Sequence, residues 1–430
     1  MPVLLIGTLD TKGTEIQFVR GLLQQAGVAT LVIDAGVQGE PAFEPDIPRE
    51  EVFAAAHTSL AAVRQAADRG RAVEAAARGV AGLAHKLFDE GRVAGVIGLG
   101  GSAGTTIGTA AMRALPFGVP KLMVSTLASG QVRQWVGVRD ILMLHSVVDI
   151  SGLNRVSRQV LTNAAHAMIG MVKGRGEPGA SAPGGTASAP GGTASAPGCD
   201  RPLLTATMFG VTTPCVEAAR KVAEAAGYEV LVFHATGTGG LTMESFIRDG
   251  LITGVLDLTT TELADELVGG ILSAGPDRLT AAGLRGVPQV ISLGALDMVN
   301  FGPPETVPEK FRGRRFYRHN PSVTLMRTTP EENDRLGKEI AEKASAARGP
   351  AAVLVPLRGV SAVDKEGQPF WWPEADQALF QSLRNWISPR VKLIELDLHI
   401  NDPAFAEAAA RTLLEMLGAA SRGRQPPEGG

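Results

Sequence analysis

Cysteine is nearly absent. Two occur in 430 residues, Cys199 in a Gly/Pro-rich stretch and Cys215 at the start of an expected helix. Their spacing matches no zinc motif and rules out a disulfide scaffold, so a reducing compartment fits the chain. Long apolar runs are also missing: no stretch approaches the roughly 20 residues that a helix needs to cross a bilayer. Met1 and Pro2 lead directly into the strand-like residues 3–6, without the basic and apolar regions of an export signal. A soluble, cytoplasmic protein with no membrane partner is the expectation. Neither sign of charge dominates, with 41 Lys and Arg against 44 Asp and Glu. No global basic field is available for a phosphate backbone, and a nucleic-acid partner is not expected. The seven histidines are scattered, and no zinc-type spacing or nucleophilic triad is legible. His145 and Asp149, four apart after a strand, come nearest to a pair and read more simply as core or loop residues.

What is present is apolar material in two blocks. At 44% hydrophobic and 20% charged residues, the chain can bury two cores, and its length suits two domains. The heptapeptide SAPGGTA repeats in tandem at residues 181–187 and 188–194. Such sequence cannot build a core, so residues 174–200 read as a flexible linker between domains at 1–173 and 201–420, with a disordered tail at 421–430. Within 1–173, strand patterns at 3–6, 30–33, 93–97, 121–124 and 141–144 alternate with helical ones at 15–26, 58–90, 105–114 and 155–172. The second block repeats the alternation, with strands at 203–208, 229–233, 254–256, 289–293, 352–355 and 391–396. This predicts an α/β fold of two Rossmann-like doubly wound domains with mostly parallel sheets. A shift of 200 residues superposes Ala26-Gly27 on Ala226-Gly227 and Leu31-Val32 on Leu231-Val232. The register is consistent with duplicated domains or with chance likeness between two βαβ units.

Ligands of open parallel sheets sit beyond the carboxyl ends of the strands, so the loops that follow strands carry the functional expectation. After the first strand come Gly7, Thr8, Asp10, Thr11 and Lys12, a segment that resembles a phosphate loop with its order disturbed. Lys12 is placed to meet a phosphate and Asp10 a magnesium ion; alternatively Asp10 and Thr14 cap a helix. The third strand leads into Gly98–Thr105, where Gly100, Gly101 and Gly104 allow close backbone approach, Ser102 and Thr105 add hydroxyls, and a helix dipole favours an anion. Ser125, Thr126 and Gly130 follow the next strand and are expected to wall the same pocket. Asp34 ends the second strand, where an acid holds a ribose hydroxyl in dinucleotide-binding folds, or stands as a turn residue. In the second block, His234, Thr236, Gly237, Thr238 and Gly239, with Thr259 and Thr260, outline another polar crevice. It suits an acidic small-molecule substrate, or retains the loops of a duplicated ancestor. Residues 311–320, FRGRRFYRHN, concentrate arginines that suit an anionic ligand or an arginine latch between domains or subunits.

These segments, GTLDTKGTE from Gly7, GLGGSAGT from Gly98, MVSTLASG from Met123, FHATGTGG from Phe233, DLTTTELADELVGG from Asp257, GALDMVNFG from Gly294 and VPLRGVS from Val355, resemble the family of the tomato mosaic virus resistance protein. The resemblance implies an ATP-binding region of two Rossmann-like domains that forms a homodimer. Some relatives carry a further barrel domain, which this chain is expected to lack, and the SAPGGTA segment departs from the family pattern. Three functions remain open: an ATP-dependent enzyme of small molecules, using ATP with Mg2+; a nucleotide-sensing module without turnover; and a hydrolase or transferase acting on a sugar phosphate or organic acid.

Overall fold

The computed structural model describes residues 1–174 and 201–422. The chain divides into two compact units, with the division between residues 196 and 197. The expected linker beyond Gly174, Cys199, and the tail beyond Arg422 lie outside the described residues. The last helix, Pro403–Arg422, runs two residues into the expected tail.

The first unit is a five-stranded parallel sheet. Its strands are β1 (Val3–Gly7), β2 (Thr30–Asp34), β3 (Gly95–Gly100), β4 (Lys121–Ser125) and β5 (Leu142–His145), in the order β2-β1-β3-β4-β5. Alternate side chains of each strand enter opposite faces. Leu4, Ile6, Ile33 and Val96 pack with Val52, Phe53, Val80 and Met112 on one side. Val3, Leu5, Val32 and Ile97 pack with Val19, Leu23, Leu161 and Met168 on the other. Burial on both faces explains why these strands read as continuous apolar runs.

The second unit repeats this plan on a larger scale. It comprises β6 (Leu203–Met208), β7 (Glu229–His234), β8 (Gly254–Thr259), β9 (Gln289–Gly294), β10 (Met298–Phe301), β11 (Phe316–Asn320), β12 (Val323–Arg327), β13 (Ala351–Pro356) and β14 (Lys392–Leu396). Six form a parallel sheet in the order β14-β13-β9-β8-β6-β7, so the first strands of both units share one winding. The 200-residue register holds through the first βαβ. Gly27 and Gly227, at φ +75° and +92°, end their helices in the same way. In each, the amide after the glycine donates five residues back, Val28 to Leu23 and Tyr228 to Ala223.

An antiparallel sheet, β10-β12-β11, was not expected from the sequence. Its edge strand contains part of the arginine-rich segment. Just before that strand Arg314 holds Glu332 and the Arg327 carbonyl, while Arg315 bonds the Trp371 carbonyl and lies over the Trp372 ring. These arginines latch elements of one unit together. At the end of β12 Arg327, wholly buried, pairs with Asp376 at 2.6 Å and Asp364 at 3.4 Å. Asp297 lies alongside, one oxygen accepting from Ser361 Oγ at 2.8 Å and the other without a partner. Burial pushes Asp297 up to about 8, reinforced by Asp364 and opposed by Arg327.

Two outcomes follow from this packing. A Cβ at Gly79 would lie 2.0 Å from the Val52 carbonyl, so the helices Arg69–Asp89 and Arg49–Ala55 cannot meet with any larger residue. Gly79→Ala should destabilise the protein by about 1–3 kcal/mol in urea titration. An acid whose folded pKa exceeds the unfolded value of about 3.9 loses stability as pH rises between the two. For Asp297 that window ends near its folded value of about 8. The melting temperature of Asp297→Asn should therefore rise relative to wild type across this window, and a constant difference would remove the group from the pH response.

Candidate functional site

The order of the first sheet reverses between β1 and β3, and a cleft of about 850 Å3 opens there. Three turns meet in it. Thr8 and the helix start Asp10, Thr11 and Lys12 come from the junction after β1, Ala35, Val37 and Gln38 from the turn after β2, and Gly100–Gly104 from the junction of β3 with the next helix. Helices Leu60–Ala66 and Arg69–Asp89 close the far side with Val63, Arg64, Ala72, Val73 and Ala76, and Asp149 stands at the rim. One end is thus rich in amides and hydroxyls, and the other sets an apolar wall of Val63, Ala72, Val73 and Ala76 beside the charged Arg64, Asp68 and Arg69.

The glycine-rich segment divides its labour. Gly98 and Gly100 belong to β3, and the helix Ser102–Ala114 begins only one residue later. A Cβ on Gly100 would lie 2.6 Å from Gly104 Cα, and one on Gly104 would lie 3.0 Å from the Leu99 carbonyl. Both glycines therefore serve the close contact of strand and helix. Gly101 differs, since a Cβ there would meet only Thr126 Oγ1 at 3.7 Å. It caps the helix without a side-chain bond, and the helix geometry leaves the amides of Ser102, Ala103 and Gly104 with no carbonyl to donate to. Thr105 and Ser125 are buried and bonded to one another at 2.7 Å, with Thr105 Oγ1 also donating to the Gly101 carbonyl. They brace the turn from behind. Thr126 is half-buried beside Gly101, Gly130 is exposed, and neither lines the cleft.

The charged residues mostly hold the walls in place. Asp34 is fully buried; Oδ1 accepts the amides of Leu9 and Gly36, while Oδ2 takes Arg49 at 2.7 Å. The acid expected at a ribose is thus committed inside the fold. Asp10 Oδ2 accepts the amides of Gln38 and Gly39, leaving Oδ1 without a partner. Among the described residues no group of three or more His, Cys, Asp or Glu is placed to hold a metal. Lys12 interrupts the helix Leu9–Gln25 at φ −127° and donates to the Ile150 carbonyl, and Glu15 accepts the Gly152 amide at 2.6 Å. Arg64 binds the carbonyls of Val37 and Gln38. Asp68 caps its helix through the Arg71 amide.

The second crevice is built differently. His234 is exposed and stacks on Phe209; Thr236 bonds back to the His234 carbonyl; Thr238 opens the helix Thr238–Arg248. A Cβ on Gly239 would lie 1.8 Å from the His234 carbonyl, so this glycine serves packing. Thr259 and Thr260 are buried and bonded to Thr212 and to the Ser292 carbonyl. The Gly237 amide points at Glu262, whose Oε1 accepts it at 2.7 Å and the Gly240 amide at 3.0 Å. Glu262 is paired with Arg278 at 2.7 Å, and Arg278 grips Asp257 with two nitrogens. Burial raises the Glu262 carboxyl above its usual range, while Arg278 and the two amides oppose the shift. Burial works against charge on Arg278 too, but Asp257, Glu262 and Glu244 outweigh it.

Eight of the expected residues therefore share the first cleft: Thr8, Asp10, Thr11, Lys12, Gly100, Gly101, Ser102 and Gly104. Gly7 lies just behind it in β1, where a Cβ would strike Ile16. The apolar wall and Arg64 went unrecognised in the sequence because their helices carry only an ordinary amphipathic pattern.

Two family models match the chain. The N-terminal domain of Uncharacterised protein family (UPF0261) covers residues 1–177, and its C-terminal domain covers residues 201–417. A UPF0261 protein of Clostridium tetani is 50% identical over 96% of this chain and 98% of its own length. A UPF0261 protein of Rhizobium meliloti is 48% identical over 95% of this chain and 97% of its own. The ToMV resistance protein Tm-1(GCR237) of Solanum lycopersicum is 40% identical over 96% of this chain, which spans 55% of the tomato protein.

Proposed function

The chain belongs to the uncharacterised protein family UPF0261, and from that premise we propose that its first unit binds a nucleoside triphosphate, ATP with Mg2+, in the cleft between β1 and β3. The observation that carries this reading is the union, in one cleft, of an uncapped helix start and an apolar wall. Phosphate oxygens suit the amides of Ser102, Ala103 and Gly104, where the helix dipole favours negative charge. Thr8, Thr11 and Lys12 stand on the same side and add hydroxyl and ammonium donors. A purine suits Val37, Val63, Ala72, Val73 and Ile107 at the other end, since flat apolar groups gain most by leaving water. The unpartnered Asp10 oxygen offers one ligand to magnesium, the remainder coming from phosphate and water.

A second reading, nucleotide binding without turnover, is favoured by the commitments of the acids. Asp10 and Asp68 both accept backbone amides, which leaves Asp149 at the rim as the more available base. Turnover on an acidic small molecule would depend on it. A cytoplasmic homodimer is part of the same proposal.

Thermal-shift measurements with ATP, GTP and ADP, with and without magnesium, test the reading, because a ligand of the native state alone raises the melting temperature. Gly101→Asp places a carboxylate at the open position and should abolish the shift. Lys12→Ala should weaken binding about tenfold, the scale of one charge-assisted contact. Wild type without a response to any nucleotide would refute the proposal. Asp149→Asn with unchanged ATP hydrolysis would leave the binding-only reading, and light scattering at twice the chain mass would support the dimer.

A further inference from the structure

The units differ at the second residue of the helix that follows the third strand. β3 ends at Gly100, Gly101 caps the following helix, and its second residue is Ala103. β8 ends at Thr259, Thr260 caps, and the second residue is Glu262. Ala103 stops short and lines the open cleft. Glu262 is fully buried and spans to the turn after β7.

We propose that Glu262 is a built-in anion, and that its carboxylate fills a seat which would otherwise take a small monocarboxylate such as acetate. Three donors converge on this seat: the amides of Gly237 and Gly240 on Oε1, and Arg278 Nε on Oε2. The backbone is shaped for the approach. Gly237 sits at φ +82°, and a Cβ on Gly240 would lie 2.1 Å from Glu262 Oε2. Arg278 already binds Asp257 with its two terminal nitrogens and lies 3.5 Å from Glu244, so Nε–H remains for a third acid. With Asp257 and Glu244 beside the same guanidinium, the surroundings favour a single negative charge over a phosphate dianion. Truncating Glu262 to alanine removes a CH2–COO⁻ group, the framework of acetate. The seat is independent of nucleotide binding in the first unit.

The test is chemical rescue. Melting of wild type, Glu262→Ala and Glu262→Gln is followed at pH 7 in rising sodium acetate, with sodium chloride at matched ionic strength as control. Glu262→Ala should melt several degrees below wild type and regain most of that loss along a saturable acetate curve. Wild type and Glu262→Gln, whose seats are filled, should show no saturable response. A folded Glu262→Ala that gains nothing specific from acetate overturns the proposal, as does a wild type that responds equally. Where the variant does not accumulate folded, it is refolded from urea in acetate and in chloride: recovery confined to acetate supports the seat, and recovery in neither overturns it. The nucleotide shift is read on the same samples, so failure of that reading shows in wild type whatever acetate does.

Discussion

A strand that runs into a helix releases backbone amides that have no carbonyl to meet, and the polar turns described in both sheets are arranged around that constraint. In the first unit the acids Asp10 and Asp34 take the amides of the turn after β2, and the turn after β3 keeps its own free toward the cleft. In the second unit Glu262 takes amides of the turn after β7 with its own carboxylate. In both units acids therefore take the amides of the turn after the second strand, and in the first unit the turn after the third strand lines an open cleft.

The second crevice is held by charge rather than by shape alone. Arg278 is wholly buried among Asp257, Glu262 and Glu244, a group with more negative than positive members. Buried pairs of this kind contribute little net stability, because desolvation offsets attraction, yet removing one partner is costly. Amides from Gly237, Gly240, Leu279 and Ala281 supply the remaining compensation. The network fixes the positions of three turns more than it strengthens the fold.

The architecture was legible because both sheets are buried on two faces, which writes their strands as apolar runs between glycine-bearing turns. Loop boundaries were less so. Gly98 and Gly100 read as part of a loop but lie in β3, since a glycine that permits close packing and one that permits anion approach look alike in sequence. Of that segment only Gly101 has open space beside it. Asp34 and Thr105 were likewise chosen by residue type, and type does not disclose whether a carboxylate meets a ligand or an internal arginine. The sheet β10-β12-β11 was hidden by its exposed, polar edge strand FYRHN, where alternation is weak.

The bonds from Lys12 to Ile150 and from Glu15 to Gly152 join positions 138 and 137 residues apart. Contacts so distant in sequence close late, after the cost of ordering the intervening loop has been met. The first helix of a nascent chain therefore meets the turn after β2 early, but gains its Lys12 and Glu15 bonds only once some 150 residues have been synthesised. Whatever enters the cleft meets it only after nearly the whole first unit has left the ribosome.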